Sequence, residues 1–251
     1  MKMFFSTVSL LIVLVLIFTF SSFGVNADVV LANYQENHDK LAFSSTQGQA
    51  SSTTPSTPKT ATAGSVIYTD GQVNPFIYFS QIGAPWSDDD YSGNSKKTIG
   101  SSGCGPTSFT MVAMSLNSSL NLTPRDVAKY SLDNGFRDPS EGTSFQLFYT
   151  GLPHYGLQYS TQELSASAIT DTLKKGHLIV MNVGAGKSVE DDRKIKNTWT
   201  NGGHFITLRG VTSDNKILVG DPNSEANSNK AWDFDKSLKP FSEGFCIQVW
   251  K

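Results

Sequence analysis

The stretch Gly103-Cys104-Gly105-Pro106-Thr107-Ser108, followed at once by Phe109, Met111, Val112, Met114 and Leu116 at helical spacing, decides how the rest of the chain is read. Gly103 and Gly105 let backbone and ligand approach closely, and Pro106 suits a first-turn position where a missing N–H costs nothing. The sulfur of Cys104 therefore falls at a helix N-terminus. Unpaired N–H groups and the positive end of the helix dipole favour the thiolate there, which is the form that attacks carbonyls. On these six residues alone a second reading stands beside the nucleophile: a tight turn opening a core helix, with Cys104 as a small buried hydrophobe. A nucleophile needs a base, and the base has to come from elsewhere in the chain.

Downstream, His204-Phe205-Ile206-Thr207-Leu208-Arg209-Gly210-Val211, a turn at Ser213-Asp214-Asn215, and Lys216-Ile217-Leu218-Val219-Gly220-Asp221-Pro222 form a hairpin signal. With the turn centred on Ser213 and Asp214, Asp221 pairs opposite Ile206, one diagonal step from His204 and on the same face. A diagonal step of about 7 Å lets an imidazole and a carboxylate meet. Such a partner fixes the tautomer of His204 and stabilises the cation formed when it takes the thiol proton. His177 also opens a strand, but no carboxylate falls into place beside it. His154 sits at a helix stop, and His38 lies in a polar tract. Gln81, upstream of the nucleophile at a predicted strand end, offers a side-chain amide to a developing oxyanion, or is simply solvated.

Between these landmarks the pattern is helical first and extended afterwards. Thr123-Pro124-Arg125-Asp126 is a capped helix start, and Asn134-Gly135 stops that helix. Thr143 or Ser144 starts another, carrying Phe145, Phe148, Tyr149 and Leu152 and closed by Pro153 to Gly156. Ser165 starts a fourth, stopped at Gly176. His177 to Val183 is an apolar run of strand length, and Phe245 to Trp250 alternates as a C-terminal strand. The expectation is an α+β domain, an N-terminal helical layer packed on a C-terminal antiparallel sheet.

The formal net charge of -2 and the scattered lysines give no electrostatic footprint for nucleic acid. Residues 1–27 read as a secretory signal: Lys2, an apolar run from Val8 to Phe20, and Val25-Asn26-Ala27 as a cleavage site. The chain is expected to be exported, with an uncleaved anchor as the alternative. Residues 28–72 read as a Ser/Thr/Pro-rich linker, densest at Ser51 to Pro58, too poor in apolar surface to offset its ordering entropy and able to reach through a cell wall. Two cysteines in an exported chain raise the question of a disulfide, but Cys246 reads as a buried core thiol. Asp88-Asp89-Asp90 reads as a solvated loop in preference to a calcium site.

Taken in order, Gln81 with Trp86 shortly after, Ser102-Gly103-Cys104-Gly105-Pro106-Thr107-Ser108, Gly142-Thr143-Ser144-Phe145, Gly203-His204-Phe205-Ile206 and Gly220-Asp221-Pro222 resemble the secreted branch of the peptidase C39-like family. These are papain-like cysteine peptidase domains, related to proteases that process bacteriocin leaders. The resemblance covers Phe76 to Lys251, within a catalytic domain set at 73–251. It implies a papain-like fold with Cys104 as nucleophile, His204 as general base, Asp221 as its orienter and Gln81 as oxyanion donor, without cofactor or metal. The substrate is then a peptide, a protein or a cell-wall peptide. No transporter membrane domain accompanies the sequence, unlike the leader-processing relatives, so a double-glycine leader does not carry over. The alternatives are a cell-wall amide hydrolase using the same chemistry and a non-catalytic binding module that keeps the fold.

Overall fold

The computed structural model describes residues 64–67, 71–94, 96–139, 142–184, 199–200 and 202–251. The expected signal segment, most of the linker and His38 lie outside the described residues. In chain order the elements are β1 (Ser65–Ile67), β2 (Phe76–Tyr78), α1 (Ile99–Ser102), α2 (Cys104–Leu116), α3 (Pro124–Asp133), β3 (Arg137–Asp138), β4 (Gly142–Thr143), α4 (Gln146–His154), β5 (Gln158–Thr161), α5 (Ala166–Lys174), β6 (Leu178–Val183), β7 (His204–Val211), β8 (Ile217–Gly220), α6 (Glu225–Ser228), β9 (Ala231–Trp232), α7 (Phe234–Ser237) and β10 (Ser242–Trp250).

The main sheet has six antiparallel strands in the order β5-β10-β6-β7-β8-β9. Its central strands are near-continuous apolar runs because both faces are covered. Period-2 alternation divides β6 accordingly: Leu178 and Val180 join the core under α2 and α4, whereas Ile179, Met181 and Val183 join a second core with Ile169 and Leu173 of α5. The expected single helical layer is thus only part of the arrangement. Helix α5, together with Phe234 of α7 and Leu238, covers the opposite face, since the apolar character of β6 demands a partner on each side.

Helix α2 is the interior element. Gly105 to Ala113 are all buried, so the helix is enclosed on every side. Its hydroxyls are satisfied locally or by the sheet: Thr107 and Thr110 each donate to the carbonyl four residues back at 2.8 Å, and Ser108 Oγ donates to the Phe205 carbonyl at 3.0 Å. That last bond ties the nucleophile helix to the strand carrying His204.

Local start signals act as expected. Thr123 and Asp126 form a reciprocal capping box with Pro124 in the first turn, and Ser165 caps α5. Two boundaries differ. Gly142 and Thr143 pair with Arg137 and Asp138 as a two-residue ribbon, so α4 starts only at Gln146, and Pro153 sits inside its last turn instead of ending it. The linker set at 28–72 runs too far, because Ser65–Ile67 pair with Phe76–Tyr78 and the Gly71 carbonyl accepts the Val211 N–H at 2.9 Å. Backbone pairing, which composition does not encode, engages Ser65–Ile67 and Gly71.

Candidate active site

Cys104 is the first residue of α2, half-buried, with Gly103 at the N-cap. Gly105 is required next to it: a Cβ there would stand 2.5 Å from the Thr143 side chain, so only glycine lets β4 close against the helix start. Thr143 is in turn held by Tyr91, whose hydroxyl lies 3.0 Å from Thr143 Oγ1 and 2.9 Å from Ser131 Oγ.

His204 opens β7 and Asp221 follows β8. Thr207 pairs with Gly220, which carries Asp221 opposite Ile206, as the hairpin arithmetic expects. His204 Nε2 lies 2.8 Å from Asp221 Oδ1, with both side chains almost fully buried. On its other side the ring nears the thiol, close enough that Cys104 and His204 shift each other's titration. The sequence brings together a thiol, an imidazole and a carboxylate in that spatial order.

The electrostatics follow from this chain of contacts. Burial disfavours the Cys104 thiolate, but the hydrogen bond and charge of His204, with the backbone N–H groups of Phe205 and Gly105, outweigh it and hold the thiol below its ordinary pKa. Burial likewise disfavours the His204 cation, yet its bonds to Asp221 and to Cys104 raise it to about 9. The two shifts act in one sense, each favouring a thiolate beside an imidazolium.

Asp221 is fully buried and its acceptor sites are filled: Oδ1 accepts from His204 and from the Asn223 N–H at 2.9 Å, and Oδ2 accepts from Asn227 Nδ2 at 2.8 Å. Its own N–H donates to Ser228 Oγ at 2.8 Å, and its carbonyl accepts from Tyr78 at 2.9 Å. These supports went unread in the sequence. The signal available was a cluster of Asn and Ser within seven residues of Asp221, indistinguishable there from ordinary loop composition.

Gln81 lies three residues beyond β2, in a bend and not at the strand end. Its backbone N–H donates to the Pro222 carbonyl at 2.9 Å, which locks it against the Asp221 loop. Its Nε2 donates to the Gly100 carbonyl at 3.0 Å, and its second amide proton has no partner among the described residues. Gln81, Cys104 and His204 all line one cleft of about 1010 Å³.

The other expectations are placed as follows. His177 Nδ1 lies 3.1 Å from Gln248 Oε1 with its ring stacked on Trp250, and His154 stacks on Tyr130, so neither reaches the cleft. Both cysteines are free, and Cys246 packs with Ile179 and Met181 in the second core, where burial pushes its thiol up to about 12. Asp89 is engaged by Arg125, and Asp90 by Ser92. Among the described residues no group of three metal-ligating side chains comes together.

With that geometry established, comparison with known proteins adds the lineage. The model of the Peptidase_C39 like family matches residues 73–250. The chain belongs to that family. A similar solved structure is that of a Bacillus anthracis protein provisionally assigned as a C39-like peptidase, 14% identical, covering 73% of this chain and 98% of the other, with a TM-score of 0.45. No curated protein is similar enough to match.

Proposed function

We propose that this chain is an exported cysteine peptidase of papain-like layout, hydrolysing an amide bond through Cys104, His204 and Asp221 with Gln81 at the oxyanion. The observation that carries the reading is the buried His204–Asp221 contact at 2.8 Å, with the Cys104 thiol lining the same cleft as the imidazole. Export is supported by the signal-like pattern of residues 1–27.

In the proposed reaction the Cys104 thiolate attacks the scissile carbonyl, and the resulting oxyanion is held by the Cys104 backbone N–H and the free Nε2 proton of Gln81. His204, cationic and oriented by Asp221, gives its proton to the leaving amine, and the C–N bond breaks to leave a thioester. His204, now neutral, takes a proton from water as that water attacks the thioester. Collapse of that tetrahedral intermediate breaks the C–S bond and expels the Cys104 thiolate beside the protonated His204, which restores the ion pair and releases the acid. No step calls for a metal or an organic cofactor.

The test is the pH dependence of Cys104 alkylation by iodoacetamide in wild type and in His204→Ala. Rapid alkylation well below the ordinary thiol pKa of about 8.5, abolished in the variant, supports the activated pair. A thiol that titrates normally in both proteins overturns the peptidase reading in favour of a binding module. New amino termini released from unfolded protein or from purified wall peptides then identify the substrate polymer.

A further inference from the structure

Among the described residues four buried side-chain polar atoms lack a hydrogen-bond partner: Gln81 Oε1, Arg137 Nη1, Asn182 Oδ1 and Thr207 Oγ1. Three of the four belong to residues lining the Cys104 cleft. Orphaned polar atoms are uncommon in folded proteins, and each costs about 1–3 kcal/mol when left unpaired. Their concentration in one cleft points to groups that a ligand completes.

Asn182 is the most informative of them. It is the only polar residue in Leu178-Ile179-Val180-Met181-Asn182-Val183, a strand otherwise apolar and placed near the middle of the main sheet. Its parity puts it on the face of Leu178 and Val180, beneath the nucleophile helix. It pairs opposite Phe205, one register step from the Val183–His204 pair. A leucine or valine there would pack without an unsatisfied atom, so the carboxamide is a local departure from the pattern of its own strand.

Asn182 lines the Cys104 cleft together with Gly202 and Gly203, the two residues before His204. A Cβ on Gly203 would stand 3.9 Å from Asn182 Oδ1, and one on Gly202 would meet nothing within 4 Å among the described residues, so neither of these two positions puts a side chain of its own beside the carboxamide. A primary carboxamide offers one acceptor and two donors in a plane, the complement of a single peptide unit.

We propose that Asn182 is a substrate-positioning residue whose carboxamide, its Oδ1 covered in the unliganded chain, turns into the cleft to pair with one peptide unit of an extended polypeptide, Oδ1 accepting its N–H and Nδ2 donating to its C=O. This rests on the peptidase reading above and assigns its substrate class as main-chain peptide, recognised through the backbone and independently of side chains.

The test compares two reagents for the same thiol, iodoacetamide and an acetyl-dipeptidyl chloromethyl ketone, on wild type and on Asn182→Leu. The expected result is an iodoacetamide rate within about twofold of wild type and a peptidyl-reagent rate lower by about tenfold, in line with the loss of one or two ligand hydrogen bonds. The melting temperature of the variant is expected to be equal or higher, because an orphaned carboxamide has been replaced by an apolar group of similar size. Asn182→Gln is expected to recover part of the peptidyl rate. An unchanged ratio of the two rates overturns the assignment, and so does a lowered melting temperature with both rates reduced together, which marks Asn182 as structural. Failure of the peptidase reading shows separately, as a slow iodoacetamide reaction already in wild type.

Discussion

Replacing Asp221 by Asn removes the charge behind His204 while keeping the volume, and the surrounding bonds let its effect be worked out. Oδ1 can stay where it accepts from His204 and from the Asn223 N–H, and the new Nδ2 then faces Asn227. Asn227 can turn its amide to present oxygen, so the variant folds. What disappears is a charge-assisted bond, about 1.5–3 kcal/mol, or about one to two pKa units. His204 should therefore fall from about 9 to about 7 or 8, and the Cys104 thiol should rise as its cationic partner weakens. Iodoacetamide alkylation against pH reads the thiol directly, and Cys246 does not interfere because burial keeps its pKa near 12. The expected outcome is an alkylation midpoint raised by about one unit and a fall in kcat/KM on a peptide substrate of about a hundredfold. The same substitution changes stability against pH. A folded-state pKa raised above the unfolded 6.5 stabilises fully below pH 6.5 and is lost as pH rises through about 9, on the order of 3 kcal/mol for the paired imidazole. Wild type should thus lose melting temperature across that window, and the variant should lose less and earlier. An alkylation midpoint identical in the two proteins would refute the reasoning.

Gln81→Ala should lower kcat by about 10²–10³ with the iodoacetamide rate unchanged, because an oxyanion donor matters only once a tetrahedral centre forms; a parallel loss in both rates would place Gln81 in the scaffold alone. Gly105→Ala drives a Cβ to within 2.5 Å of Thr143 and should cost about 1–3 kcal/mol, read as a lowered melting temperature. Arg209→Met keeps an apolar stem near the Phe76 ring but strips donors from the Val219 and Ser228 carbonyls and from Gln72, and should cost about 3 kcal/mol by denaturant unfolding.

What the sequence made legible was chemistry with a local signature. Thr123 and Ser165 cap their helices because a side-chain oxygen within three residues is all that the first turn needs. Gly135 and Gly176 end theirs at positive φ, a conformation that neighbours in the chain already suggest. Gly103 to Ser108 and the His204 hairpin were legible for the same reason. The functions of Asn182, Asn227 and Arg209 were not, since each depends on what a distant segment leaves unpaired or brings close. A lone asparagine in an apolar strand was visible in the sequence, but only the three-dimensional accounting of hydrogen bonds separates a vacant carboxamide from a satisfied one.

The hairpin shows how a correct expectation can rest on incomplete geometry. A turn centred between Ser213 and Asp214 with regular pairing puts Asp221 opposite Ile206. In the structure the turn is one residue wider, with Val211 paired to Ile217 and Asn215 at φ 59, and this alone would place Asp221 out of step with His204. A bulge at Arg209 restores the register, so that Leu208 meets Val219 and Thr207 meets Gly220. The extra residue of the bulge is a buried arginine whose pKa burial lowers to about 10, tolerated because its guanidinium donates to the Val219 and Ser228 carbonyls, each at 2.9 Å, and to Gln72. Ser228 in turn holds the Asp221 backbone. The residue that corrects the register therefore also braces the loop bearing the carboxylate, and removing the bulge would shift Asp221 by one position, turning it to the opposite face of the sheet from His204.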